Sequence, residues 1–248
     1  MDGFIEDFFK GRDTGLVIDW TQMPTYNTIM AIAAGAGLIF MFMLGRALIK
    51  DTDFRAEGWA LTAGVLGFIL TTTGLHMTLV WPFAMYFPFD NIVFGETSLG
   101  LGVLLLAAAL FLWKRGDQIV NAEDRAAEAA AIAKPLGIFI VGLGLALFGI
   151  ALAGLLFQLF AAPADEPISG IVADFPAIEA TFMSLLFALI GLGAVLFPAA
   201  LRGFSSQRPL SGAAKLVGWL WLITGIIFLL FGAMNFYTHI GLIVNTMQ

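Results

Sequence analysis

The sequence predicts an all-α polytopic membrane protein, a single integral membrane domain over 1–248 with six transmembrane helices and both termini on the outer side. Three observations predict it. First, 60% of the 248 residues are hydrophobic and only 12% are charged, about half the charge of a soluble domain of that size. Second, the apolar residues gather into six stretches, at 27–48, 58–82, 93–114, 135–161, 177–201 and 216–243. Each is long enough, at about 1.5 Å per residue, to cross a hydrocarbon core of about 30 Å. Third, the basic residues alternate. Arg46, Lys50 and Arg55 follow the first stretch, Lys114, Arg115, Arg125 and Lys134 the third, and Arg202, Arg208 and Lys215 the fifth. The other loops carry none. Six spans with outward termini satisfy the positive-inside rule at every loop, and a missed or extra helix would scramble the pattern. The expected location is the cell (inner) membrane.

Taken in order, the chain opens with Phe4, Ile5, Phe8 and Phe9 at helical spacing among Asp2, Glu6, Asp7 and Lys10. This reads as a short amphipathic helix at the start of an interfacial segment over 1–26. Its acidic start is not the positive n-region of a cleavable signal peptide, so the first span is expected to act as the targeting signal. Trp20 and Tyr26 are placed as interface anchors. Pro82 stops the second span, which Trp81 marks. The Ala- and charge-rich stretch 116–134 reads as a helical connector with a solvated face. Pro135 suits a first helical turn, where its missing N–H costs nothing. The glycine pairs Gly35/Gly37, Gly100/Gly102, Gly142/Gly144 and Gly191/Gly193 fall inside spans. There they are expected to be close-packing surfaces between helices, not nucleotide loops. The second and third spans resemble the fourth and fifth: Glu96 and Glu179 each open a helix after a Pro-containing loop, with Asp90 and Asp174 shortly before. Read as a repeat, the two hairpins are parallel.

Composition also excludes. A net charge of −6 argues against nucleic acid as a partner. With no Cys there is no disulfide framework and no thiolate metal site. The expected partners are the lipid bilayer and, through the Gly and Ala faces, other membrane proteins or further copies of the chain.

Four polar residues stand out within or at the ends of the spans. His76 and His239 are the only histidines, and Glu96 and Glu179 open spans that descend from the outer face. The topology puts all four about one or two turns below that surface. A carboxylate there costs a few kcal/mol unless paired or hydrated, and no basic residue lies at that level. One divalent ion would satisfy both carboxylates and both imidazoles. The ligand types suit Zn, Cu, Fe or Mn, and Thr72 and Asn235 stand close enough in sequence to orient the rings. The bland alternative is an interfacial histidine pair and two carboxylates favoured by helix N-termini. Haem between His76 and His239 ranks below a bare ion, because propionates would meet carboxylates and no Lys or Arg.

The segment Gly74-Leu-His76-Met-Thr-Leu-Val-Trp81-Pro82, followed by Asn91-Ile-Val-Phe94-Gly95-Glu96, resembles the signature of an uncharacterised family of prokaryotic membrane proteins with six or seven helices. The resemblance covers most of the chain and implies no activity. It implies that His76, Trp81 and Glu96 belong to one local unit. Three functions stay open on this reading: a metal-dependent membrane protein, such as a redox enzyme for a small or lipophilic substrate; a non-catalytic subunit of a larger membrane complex; or an ion or proton pathway using Glu96 and Glu179.

Overall fold

Apolar stretches that must satisfy every backbone N–H and C=O within themselves become helices. The computed structural model, which describes residues 18–247, is all-helical, and six of its helices are long and apolar enough to cross a membrane. These are α1 (Asn27–Lys50), α2 (Ala56–Leu79), α3 (Thr97–Val120, entered through a π-helical turn at Asn91–Glu96), α5 (Gly137–Phe157), α6 (Pro176–Leu201) and α7 (Gly212–Thr246). The short α4 (Arg125–Ala133) leads through a 3₁₀ turn, Lys134–Leu136, into α5. The expected amphipathic helix at the N-terminus lies outside the described residues.

The helices form an incomplete ring. α3 packs on α2, α2 on α1, α1 on α7, α7 on α6 and α6 on α5, while α3 and α5 meet only lightly. Close approach explains the tightest pairs. A Cβ added at Gly35 would lie 2.5 Å from the backbone N of Leu229, and one added at Gly144 or Gly191 would lie 2.8 Å from the other's carbonyl oxygen. Any side chain there would force the helices apart. Gly142 corrects the expectation. It faces open space, because it sits two residues from Gly144 and so on another side of α5. The outward faces are apolar; Ile138 is 87% exposed and Leu79 73%, a surface suited to contact with lipid.

Two ends of the bundle differ in chemistry. One, the basic end, gathers the connections α1–α2, α3–α4–α5 and α6–α7. Asp124 clasps it: its carboxylate caps α4 through Ala127 N (3.1 Å) and accepts from Ser206 N (2.9 Å), Ser206 Oγ (2.8 Å) and Ser205 Oγ. Arg125 adds a hydrogen bond to the carbonyl of Asp51 and lies over the Phe54 ring. The stretch 116–134 is thus helical as expected, but it is broken at 121–124, and Ala126 and Ala130 are buried beneath it. The opposite end holds the loops 80–90 and 158–175.

Helix ends also shift from expectation. α2 stops at Leu79, before Pro82, because Val80 is already extended, as the approach to a proline favours. Buried Asn91 receives the freed end: its amide donates to the carbonyls of Val80 (2.8 Å) and Met77, and its Oδ1 accepts from Phe83 N (3.0 Å). α5 ends at Phe157, not near 161, in a left-handed residue, Gln158 (φ 53°), whose N–H bonds the carbonyl of Gly154.

Candidate functional site

His76 lies exposed on the last turn of α2. Its Nδ1 stands 3.0 Å from the Tyr26 hydroxyl, which also reaches the Thr73 carbonyl at 3.4 Å. Phe83 packs on both rings, 4.6 Å from Tyr26 and 5.6 Å edge-on from His76. Burial pushes the Tyr26 phenol up to about 12, so it stays a proton donor at neutral pH. Thr72, expected to orient the ring, instead donates to the Phe68 (2.8 Å) and Ile69 (3.2 Å) carbonyls of its own helix. A helical threonine has that acceptor within reach whatever its neighbours do. The two halves of the signature segment meet where Gly95 approaches Met77 and where Asn91 stitches them, while Glu96 and Trp81 are both exposed.

His239 sits elsewhere, on α7, with its side chain 20% exposed. Its Nε2 faces Glu166 Oε1 at 3.7 Å, an electrostatic pair too long for a hydrogen bond. Glu166 belongs to the loop 158–175 and is only 8% exposed; burial raises its carboxyl above the ordinary value. Three contacts hold that loop in place. Asn245 donates to the Asp165 carbonyl (2.9 Å), Pro167 lies against Gly241, and Glu179 Oε2 accepts from Ala162 N at 2.8 Å. A γ-turn at Ile168 (φ 68°, ψ −66°), closed by Ser169 N to Pro167 O at 2.8 Å, follows Glu166. This hand of γ-turn is rare and strained for a β-branched residue. Glu166 went unselected in the sequence because nothing distinguishes it there from Asp165 beside it.

The two histidines therefore occupy different corners, on helices that flank α1. Among the described residues, no group of three or more His, Cys, Asp or Glu is arranged to hold a metal ion. The convergence of His76, Glu96, Glu179 and His239 gains no support from the geometry. Glu179 and His239 share the neighbourhood of the 158–175 loop, and His76 keeps its aromatic partners.

Sequence reasoning missed a third feature altogether. Between the helices of the incomplete ring lies a partly open chamber of about 900 Å³, whose lining runs from one end of the bundle to the other. Its walls are overwhelmingly apolar, with Leu105, Leu147, Met183, Phe187, Trp221 and Phe228 among them. Arg46, Lys50 and Lys215 stand at its basic end, and Asn27, Thr97, Ser98 and Asn235 at the other. Asn235, expected to orient His239, lines this chamber, and its Oδ1 has no hydrogen-bond partner among the described residues. One sequence signal was available. Small and large apolar residues recur on several spans with too few polar ones to fill a central gap, but that pattern does not tell a gap from a packed core.

A family model described as "Protein of unknown function (DUF981)" matches residues 23–241. No curated protein and no solved structure matches the chain. The match spans most of the sequence, and the chain belongs to that family.

Proposed function

We propose that this member of the DUF981 family is a multi-pass membrane protein that takes a lipophilic molecule from the bilayer into the chamber between its helices. One observation carries the reading: a volume of about 900 Å³ with almost wholly apolar walls inside a ring of apolar helices. Ligand sites are of this size and composition, a large hydrophobic lining with a few polar groups at defined places. The light contact between α3 and α5 gives the natural lateral route from the lipid. The charge pattern of the loops supports an orientation in which the basic end faces the cytoplasm and both termini face outward.

Among the described residues no group of three or more His, Cys, Asp or Glu is arranged to hold an ion, so the chamber is the better-supported site. The accessory-subunit reading draws only on apolar outer faces, which lipid covers equally well.

Solvent extraction of the detergent-purified protein, followed by mass spectrometry, tests the proposal. The expected result is a stoichiometric co-purified lipophile that is lost in Ala108→Trp, which fills the chamber from α3. Identical extracts from the wild type and this variant would overturn it.

A further inference from the structure

We infer that the basic end of the chamber holds the anionic head of a long-chain lipid, a carboxylate or a phosphate monoester, whose tail lies in the apolar length beyond it; this rests on the chamber reading above. Three cations line the chamber, Arg46 and Lys50 from α1 and Lys215 from α7, and its lining contains no Asp or Glu. All three are exposed. Among the described residues none of them forms a salt bridge; the pairs there are Arg55–Asp53 and His239–Glu166. Contacts between α1 and α7 set their level. A Cβ added at Gly232 would meet Ala31 and one added at Gly218 would meet the Phe42 ring at 3.3 Å, so the two helices run antiparallel. The Phe42 and Trp219 rings also pack, with centroids 5.9 Å apart. Arg46 lies one turn beyond Phe42 and Lys215 one turn before Trp219, and in an antiparallel pair both steps lead to the same end. Residues four apart share a helix face. Arg46 and Lys215 therefore stand at one level on the packed faces of neighbouring helices, with Lys50 one turn further out on the same face of α1.

Basic residues gather over this whole end of the bundle, and the positive-inside rule accounts for that. It does not account for three of them in the wall of an apolar cavity. Like charges at one level repel, and an anion beside them turns that repulsion into attraction. Arg46 offers a planar fork of N–H donors that matches a carboxylate or phosphate, and the two lysines add point charges. A cationic head would be repelled here, and a neutral one gains little. Beyond the cations the lining follows α1 as far as Asn27, and between these limits α1 contributes only apolar residues and glycine. That length is about 30 Å at 1.5 Å per residue. A head held at Arg46 and Lys215 thus has a hydrocarbon-lined path for a long tail. The ligand class is a bilayer-soluble molecule with one anionic head and a long apolar tail.

The test measures binding of tritiated palmitate, hexadecyl phosphate and 1-hexadecanol to delipidated protein in an uncharged detergent, by scintillation proximity and at a pH that ionises the acid. At least one of the two anions is expected to bind about tenfold more tightly than the alcohol, the discrimination that a charge-assisted hydrogen bond supplies; the tighter anion names the head. Arg46→Met and Lys215→Met should each bring that anion down towards the alcohol while alcohol binding holds, which also shows that the variants are folded. Lys114→Met removes a cation at the same end that does not line the chamber and should leave the anion's affinity unchanged. Excess inorganic phosphate, an anion without a tail, should not displace it. Equal affinity for all three lipids in the wild type overturns the anion site and leaves the chamber standing. An equal loss in Lys114→Met overturns it too, by spreading the effect over the whole basic surface, and so does displacement by inorganic phosphate, by showing that the tail adds nothing. Failure of all three lipids to bind would sink the chamber reading itself.

Discussion

At one corner of the bundle an imidazole is held by a phenol and a phenyl ring; at another, an imidazole faces a buried carboxylate. The His76 corner is closed mainly by nearby chain, Phe83 and the Asn91 stitch just beyond α2, with Tyr26 added from 50 residues away at the start of α1. The His239 corner is assembled from distant chain, with the 158–175 loop folded back over α7. Each corner also carries a carboxyl that burial pushes up, Asp90 at the first (to about 7) and Glu166 at the second. The difference teaches what each corner is for physically. The first ties its imidazole and its freed helix end into hydrogen bonds and so reads as structure. The second keeps a buried acid and an imidazole facing each other at 3.7 Å, beyond hydrogen-bond reach.

The largest effect should come from the stitch. Asn91→Leu removes three hydrogen bonds and strands two carbonyls and one N–H at the end of α2. The expected cost is about 3 kcal/mol, read as lower thermal stability in detergent. A loss no greater than that of an exposed substitution would mean that the first corner is not held as described.

Next comes pH. Both carboxyls are raised by burial, so each favours the folded state fully below its unfolded value and withdraws that support as pH rises through its folded value. For Asp90 the loss falls between about pH 4 and about pH 7. The slope for one group is at most about 1.4 kcal/mol per pH unit. Asp90→Asn and Glu166→Gln should each flatten the decline of melting temperature with rising pH. Unchanged profiles in both variants would dissolve the parallel between the corners.

A smaller change is expected from His76→Phe, which loses one hydrogen bond to Tyr26 but keeps the ring contact with Phe83. About 1 kcal/mol is anticipated; Tyr26→Phe loses the same bond together with the long one to the Thr73 carbonyl, so the two losses are not additive. Full additivity in the double variant would sever the pair. The smallest effect should be Thr72→Val, within about 0.5 kcal/mol, because the hydroxyl bonds only to its own helix. A loss of Tyr26–His76 coupling in that variant would restore Thr72 as the residue that orients the ring.

Much of this molecule was legible without coordinates. The six helices begin and end near the predicted positions because hydrocarbon demands unbroken helix and interfaces attract charge and aromatic rings. The glycines marked for close packing do meet other helices, Gly142 aside. The site was less legible. Residue counts along each span put His76, Glu96, Glu179 and His239 at one expected level, but a shared level does not bring side chains together. Asn91, Glu166 and the unpartnered Asn235 mattered more, and each depends on a neighbour far away in sequence or on a space between helices.

Sequence by itself determined an all-helical chain with six helices long and apolar enough to cross a membrane, because the length of each apolar run sets the length of its helix. Only the tertiary structure decided which residues meet, because that depends on the order of helices around the ring and the rotation of each one. Spans that are apolar all round, such as α2 and α5, carry almost no amphipathic bias to announce an inward face. Side-chain packing sets that rotation, and with it the chamber and the separation of the two histidines.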